Sequence, residues 1–364
     1  MLAKECQRLG WQLQVLIPSN VPRHQLPATI DFQPVLPAVH LGQVATLKRM
    51  ARIFWILLRL EQRGQVYFWP LPSSGILLTA LSLLRHGLKV EQAFVITFSP
   101  HRRSRVHALT TWVACQLAKL SNRLGWPWRF YASTPTVERE LRKAGWPISS
   151  TLLTFGRPPV QALTPPNQSL CTSFCYLGTP RQTDSKGLRF LCDALYGLRS
   201  CLEERRMRWV IQVERNPHIE AAPAIERLFQ DPLPGIQLLE GHQPDEVLDA
   251  QLRDSHFTVV PYDPEFYMGA PSGLVCESLA AGRPVIGTLG TWTEEMVKQT
   301  GCGLLCRYGD VAGLQQVLMQ AVEQREALCQ QAWDQCWEWQ QRFSPQTFIN
   351  KILYGEANNS RNSE

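Results

Sequence analysis

The chain lacks any apolar run of the ~18 to 20 residues that a helix needs to cross a bilayer. Its longest apolar stretches, 52–60 and 75–84, are about half that length. No G-x-G-x-x-G follows a predicted strand and no P-loop is present, so a dinucleotide-dependent oxidoreductase or a nucleoside triphosphatase has no support. The basic residues are scattered among Trp and Leu without an RNA-binding signature, so nucleic acid is not an expected partner. The eleven cysteines are odd in number and dispersed. Cys171/Cys175 and Cys302/Cys306 have spacings that suggest zinc, yet each pair lies in or beside a predicted strand with no partner His. Structural thiols are expected there, with no metal and no cofactor. The sequence as it stands opens on no signal-peptide pattern, and the expectation is a cytoplasmic chain with reduced thiols.

What is present suffices for two cores. A chain of 364 residues, 45% of them hydrophobic, is too long for one ordinary core. Predicted strands at 11–18, 65–70, 93–99 and 128–132 alternate with amphipathic helices at 44–63, 76–86, 107–124 and 135–144. A breaker-rich joint, 157–167, follows. The alternation then restarts, with strands at 173–177, 209–213, 235–239 and 256–261 and helices at 187–199, 221–229 and 245–253; 311–353 is largely helical. Such alternation predicts α/β architecture, two Rossmann-like doubly wound domains over 1–165 and 166–354, ahead of a disordered polar tail, 355–364. Charge divides unevenly between them. Residues 1–165 hold 20 Lys and Arg against six Asp and Glu, and the remainder holds 17 against 25.

Residues 259–285, VVPYDPEFYMGAPSGLVCESLAAGRPV, carry the chemistry. An apolar strand runs into a Pro- and Gly-rich loop, then a helix with Ser272 as N-cap, Leu274 and Val275 opening its buried face, and Gly282 with Pro284 ending it. The free amides of Ser272, Gly273 and Leu274, with the helix dipole, favour a phosphate, and Gly273 admits it closely. Glu277, one turn on, can accept hydrogen bonds from both hydroxyls of a ribose. A nucleoside diphosphate is the expected guest. The alternative is a surface acid on an amphipathic helix, which sits poorly with neighbours Cys276, Ser278, Leu279 and Ala280.

At these residues, followed by Gly290-Thr291-Trp292 and the GCGLL…GD stretch of 301–310, the chain resembles the retaining GT-B glycosyltransferases of family 4, the glycosyl transferases group 1 family. The likeness is close over about 170–348 and rests only on element order before that. It implies two domains facing a cleft, an N-terminal acceptor domain, and a C-terminal donor domain whose final helix crosses back. It also implies that Arg181 and Lys186, five residues apart in the loop that begins at Gly178, hold the donor diphosphate in place of a metal. The base-contacting loop of the family falls at Gly241, His242 and Gln243. His101 stands where a cleft-facing His orients an acceptor, or belongs to a basic surface with Arg102, Arg103 and Arg105.

The chain departs from the family at Gly269, where many members carry an acid near the donor sugar, and it lacks an Arg often found between Tyr267 and Ser272. Asp263-Pro264-Glu265 only superficially echoes the metal motif of another transferase fold. The implied function is transfer of a sugar from a nucleotide-diphosphate sugar to an unknown acceptor, lipid-linked or polysaccharide. The alternatives are a non-catalytic binding subunit and, with less support, a nucleotide-sugar epimerase. The basic first half, with Trp112, Trp126 and Trp128 among its cations, suggests peripheral docking on an anionic membrane, or else a merely basic face. One further expectation concerns the start. Leu2, Cys6 and Leu9 form a helical stripe that stops at Gly10, so the first strand of the N-terminal domain is expected in an upstream segment of roughly 15 to 25 residues; the alternatives are a chain in which another segment fills the gap and a degenerate paralogue without activity.

Overall fold

The computed structural model describes residues 14–18, 31–36, 66–71, 91–96, 105–126, 128–151, 170–178 and 182–354. The chain divides into two compact units, Met1–Thr154 with Pro345–Glu364, and Phe155–Ser344. The joint expected at 157–167 lies outside the described residues, as do the predicted helices 44–63 and 76–86.

In the first unit, β1 (Gln14–Pro18) pairs in parallel with β2 (Asp31–Leu36). A separate parallel sheet runs in the order β3 (Val66–Leu71), β4 (Glu91–Ile96), β5 (Trp128–Ala132), β6 (Ile148–Thr151). No described strand joins the two sheets, and any segment upstream of Met1 is outside the described residues. The helices Arg105–Arg123 and Pro135–Lys143 fall close to their predicted bounds. Ala114, Cys115 and Ala118 of the first, and Val137 and Leu141 of the second, close over Trp128, Phe130 and Ile148 in a small core. Trp128 is therefore a core residue rather than part of an aromatic surface, and Trp126 meets it edge-on at 5.0 Å. The helix Pro345–Tyr354 belongs to this unit, where the Tyr131 hydroxyl donates to the Lys351 carbonyl at 2.8 Å.

The second unit is built on six parallel strands: β7 (Thr172–Tyr176), β8 (Met207–Val213), β9 (Ile236–Glu240), β10 (Phe257–Val260), β11 (Val285–Thr288) and β12 (Gly303–Cys306). Their spatial order, β12-β11-β10-β7-β8-β9, is the doubly wound 3-2-1-4-5-6 arrangement. Alternation along β8 explains its two faces: Met207, Trp209, Ile211 and Val213 enter the main core, while Val210 joins Cys175, Leu177 and Leu252 on the other side. Trp209 stacks on Phe174 at 4.5 Å, and Phe174 on Phe257 at 5.4 Å, anchoring the centre of the sheet. Burial also accounts for the cysteines of interest. Cys175, Cys302 and Cys306 are buried thiols bonded to Thr258, to the Thr300 carbonyl and to the Gly287 carbonyl, and desolvation pushes the Cys306 thiol up to about 12.

Three strands were not legible in advance, whereas β12 is the strand expected beside Cys302 and Cys306. β2 contains Pro34, which reads as a breaker but is tolerated in a short two-stranded ribbon. β6 is a short edge strand, and β11 is four residues with an internal glycine. Gly287 in β11 has a packing reason, since a Cβ there would meet Thr293 Cγ2 at 2.5 Å. The Gly290-Thr291-Trp292 segment likewise opens a helix, Trp292–Thr300, rather than only a turn. Trp292 is buried, and the helix ends at Gly301 with φ +69°.

Candidate functional site

The order of strands in the second unit reverses at β7. The chain leaves β7 toward β8 on one side and later returns to β10 on the other, so the carboxyl ends of β7 and β10 flank a crevice. A pocket of about 270 Å³ opens there. Its lining combines Leu177 and Gly178 beyond β7, Lys186 from the following loop, Tyr262 beyond β10, and Ser272, Gly273, Leu274 and Glu277 from one helix start.

That helix, Gly273–Ala280, forms where the sequence signals it. Ser272 is extended (φ −109°, ψ 120°) and its hydroxyl accepts from the Val275 amide at 3.4 Å. The Tyr262 hydroxyl lies 3.3 Å from Ser272 Oγ, and Tyr262 stacks on Tyr267 at 4.2 Å, so two rings brace the cap. Ser278 is fixed by bonds to Thr258 Oγ1 at 2.8 Å and to the Leu274 carbonyl at 2.6 Å. Glu277 is 8% exposed and lies on the pocket wall. Its neighbour Cys276 has a thiol held far above its ordinary range, by burial first and then by the Glu277 charge.

The loop after β7 is pinned from several directions. Asp184, buried, accepts from the Leu188 and Arg189 amides at 2.8 and 3.0 Å and so caps the helix Leu188–Gly197 by its side chain. The Asp184 amide donates to Glu220 at 3.0 Å, and the Asp263 amide to the Ser185 carbonyl at 3.0 Å. Burial raises the Asp184 carboxyl, and the two backbone bonds oppose that shift. Gly187 has φ +71°, and a Cβ on it would stand 1.9 Å from the Pro261 carbonyl oxygen, so only glycine lets this loop lie against the exit of β10. The same loop brings the Lys186 ammonium to Gly178, whose absent Cβ would lie 2.8 Å from Nζ.

Of the residues singled out in the sequence, Gly178, Lys186, Ser272, Gly273, Leu274 and Glu277 share this pocket. His242, exposed, and Gln243, which donates to the Glu240 carbonyl at 2.7 Å, stand in the loop after β9 and are not in its wall. Gly269 is buried in the turn between the short helix Pro264–Tyr267 and Ser272, also outside the wall. Arg181 and His101 lie outside the described residues. Leu248 was missed, although Leu248 and Leu252 form an i, i+4 pair on the helix Asp245–Asp254 that predicts an inward face. No cluster of His, Cys, Asp and Glu suited to a metal occurs among the described residues.

Neither a family model nor a curated protein matches the sequence. Solved structures do match. Sucrose-phosphate synthase from Thermosynechococcus elongatus superposes with a TM-score of 0.70 at 14% identity, over 96% of this chain and 90% of that one. WaaG, a glycosyltransferase involved in lipopolysaccharide biosynthesis, gives 0.63 at 15% identity, over 97% and 94%. The fold is GT-B. Anabaena HepE in complex with UDP and glucose shares it, with a TM-score of 0.62 at 14% identity over 89% and 85% of the two chains. At such identities the GT-B likeness concerns architecture, and the chemistry must come from the pocket itself.

Proposed function

We propose that the chain is a retaining, metal-independent glycosyltransferase of the family-4 type that takes a sugar from a nucleotide-diphosphate sugar. The observation that carries this reading is the meeting in one pocket of a cation, Lys186, a free helix start at Ser272–Leu274, and an acid, Glu277, one turn further in. The cation and the amides suit a diphosphate, and the carboxylate suits a ribose. The GT-B neighbour HepE, bound to UDP and glucose, lends support to a nucleotide-sugar donor. In this scheme the second unit is the donor domain and the first unit, which includes the helix Pro345–Tyr354, the acceptor domain; Arg181 joins Lys186 at the diphosphate, and no cofactor is used. Calorimetric titration with UDP, ADP and GDP, with and without EDTA, tests the donor site; no affinity for any of them ends the proposal. Glu277→Gln is expected to weaken the preferred nucleotide about tenfold, the loss of one hydrogen bond to a charged group. An unchanged Kd would remove Glu277 from the ribose.

A second reading, a non-catalytic binding subunit, is favoured by Gly269, which stands where many members of the resembled family carry an acid. Donor hydrolysis and sugar transfer separate the two: tight nucleotide-sugar binding without release of the sugar supports the subunit.

For the acceptor, the first unit offers a specific surface. The helix Arg105–Arg123 contains no acid, and Trp112 and Leu120 on it, with Leu124 just beyond, are 60%, 46% and 56% exposed beside Lys119 and Arg123. Apolar side chains among cations on an otherwise acid-free helix support docking on an anionic membrane, where each cation adds about 1 kcal/mol. WaaG, named for lipopolysaccharide biosynthesis, is a GT-B neighbour consistent with a lipid-linked acceptor. Sedimentation with anionic vesicles is expected to carry the protein down at low salt and to release it at high salt, with Trp112→Ala and Leu120→Ala each weakening it. Equal recovery in the supernatant with anionic and neutral vesicles would defeat the docking.

A further inference from the structure

Gln212 is 2% exposed and lies near the carboxyl end of β8, on the side of the sheet shared with Val210 and opposite the main aromatic core. That is also the side of Leu177, Leu248 and Leu274, all three of which line the pocket. Gln212 itself does not reach the wall. Its side-chain amide is spent on two backbone groups instead. Oε1 accepts from the Gly178 amide at 2.6 Å, and Nε2 donates to the Gly241 carbonyl at 2.8 Å. Both glycines have left-handed backbone, φ +103° at Gly178 and φ +75° at Gly241, so each is the turn by which a chain leaves its strand. One turn follows β7 and carries the Lys186 ammonium against it. The other follows β9, where the Gly241 amide also donates to the Val213 carbonyl at 2.8 Å.

The position is unusual for a glutamine. A strand end flanked by β7 and β9 would ordinarily hold an apolar residue, and an unbonded buried amide is costly. Here the amide bridges the loop after β7 and the loop after β9. It spans β8 and ties together the two turns, which stand about twice the ~4.8 Å strand spacing from each other. In the donor-site reading the phosphates lie at the first loop and the base, as the family resemblance implies, at the second, so a nucleoside diphosphate must match that separation.

We propose that Gln212 is a positioning residue that fixes the spacing of the two loops and thereby couples affinity for the nucleoside to affinity for the diphosphate. The inference rests on the donor-site reading above. Gln212 touches neither end of the ligand; it holds the Gly178 turn, with Lys186, in register with the Gly241 turn, with His242 and Gln243.

The test uses the full chain and Gln212→Met, which keeps the volume and removes both bonds, together with Gln212→Glu, which keeps an acceptor for the Gly178 amide and sets a carboxylate against the Gly241 carbonyl. Hydrogen exchange without ligand reads the bridge directly. In Gln212→Met the amides of Gly178 and of 241–243 are expected to exchange at least tenfold faster, whereas in Gln212→Glu only those of 241–243 do. Titration with UDP, ADP, GDP and inorganic pyrophosphate then reads the coupling. Gln212→Met should bind the preferred nucleoside diphosphate at least tenfold more weakly and pyrophosphate within twofold of the unaltered protein. Equal weakening of both ligands reduces Gln212 to a structural residue and overturns the proposal, as does unchanged binding of both. Should Gln212→Met fail to fold, Gln212→Glu carries the same comparison, with its loss again confined to the nucleoside diphosphate. An unaltered protein that binds no nucleoside diphosphate, although exchange responds as expected, shows instead that the donor reading has failed and takes the coupling with it.

Discussion

Lys186→Ala is expected to lower turnover of the preferred nucleotide sugar by about 10²-fold or more while the protein still melts cooperatively within a few degrees of the unaltered chain. The reasoning starts from placement. Lys186 is half-buried, lies in the pocket wall, and brings its ammonium against the bare backbone of Gly178. In the proposed scheme a cation in that position acts on charge that grows as the diphosphate departs, so its removal would raise the barrier more than it weakens the ground state. The loop keeps its anchors at Asp184, Glu220 and the Ser185 carbonyl in the variant. Donor hydrolysis and sugar transfer, each with kcat and KM resolved, are the measurements. A variant with near-normal kcat would remove Lys186 from the chemistry and with it the metal-free scheme, whatever Arg181 does.

Arg283→Met is expected to cost about 3 kcal/mol or more of stability, measured by urea denaturation, and to leave any residual donor binding weaker. Arg283 is wholly buried, yet its guanidinium is directed at backbone. It donates to the Leu252 carbonyl at 3.3 Å, to the Arg253 carbonyl at 2.7 Å and to the Gly282 carbonyl at 3.3 Å. The first two are among the last carbonyls of the helix Asp245–Asp254, which have no partner within their own helix. Replacing a buried ion pair by apolar groups is often harmless because both partners vanish together. Backbone carbonyls cannot be removed, so methionine leaves them dry and unbonded. Burial lowers the guanidinium from its ordinary value, and a group that starts so high stays charged across the range in which the protein would be studied. Arg283→Lys keeps the charge without the fork and should recover part of the loss. Stability of the methionine variant within 1 kcal/mol of the original would show that these bonds matter little. The effect on the donor follows from Leu248, which the same helix places in the pocket wall.

What could be read from sequence was whatever the chain decides locally. Ser272 before a helix start, Gly282 and Pro284 after its end, and the apolar runs of β5, β7, β8, β9 and β10 all declare themselves, because capping and side-chain alternation depend on neighbours a few positions away. Glu277 could be suspected on the same terms, as an acid in apolar company one turn inside a helix. Tertiary structure decided the rest. β2, β6 and β11 are too short or too interrupted to show a period, and they exist as strands through pairing with partners elsewhere in the chain. The pocket depends on β7 and β10 being neighbours in the sheet although 80 residues and two strands intervene, so Gly178, Lys186 and Glu277 meet only through the winding order. Gln212 and Arg283 are the clearest cases. In the sequence each is an ordinary polar residue beside an apolar run; their bonds reach 34 and 29 residues, and 31 and 30 residues, along the chain. No local preference encodes such partners, because a buried amide or guanidinium acquires its role only when folding brings unsatisfied backbone within its reach.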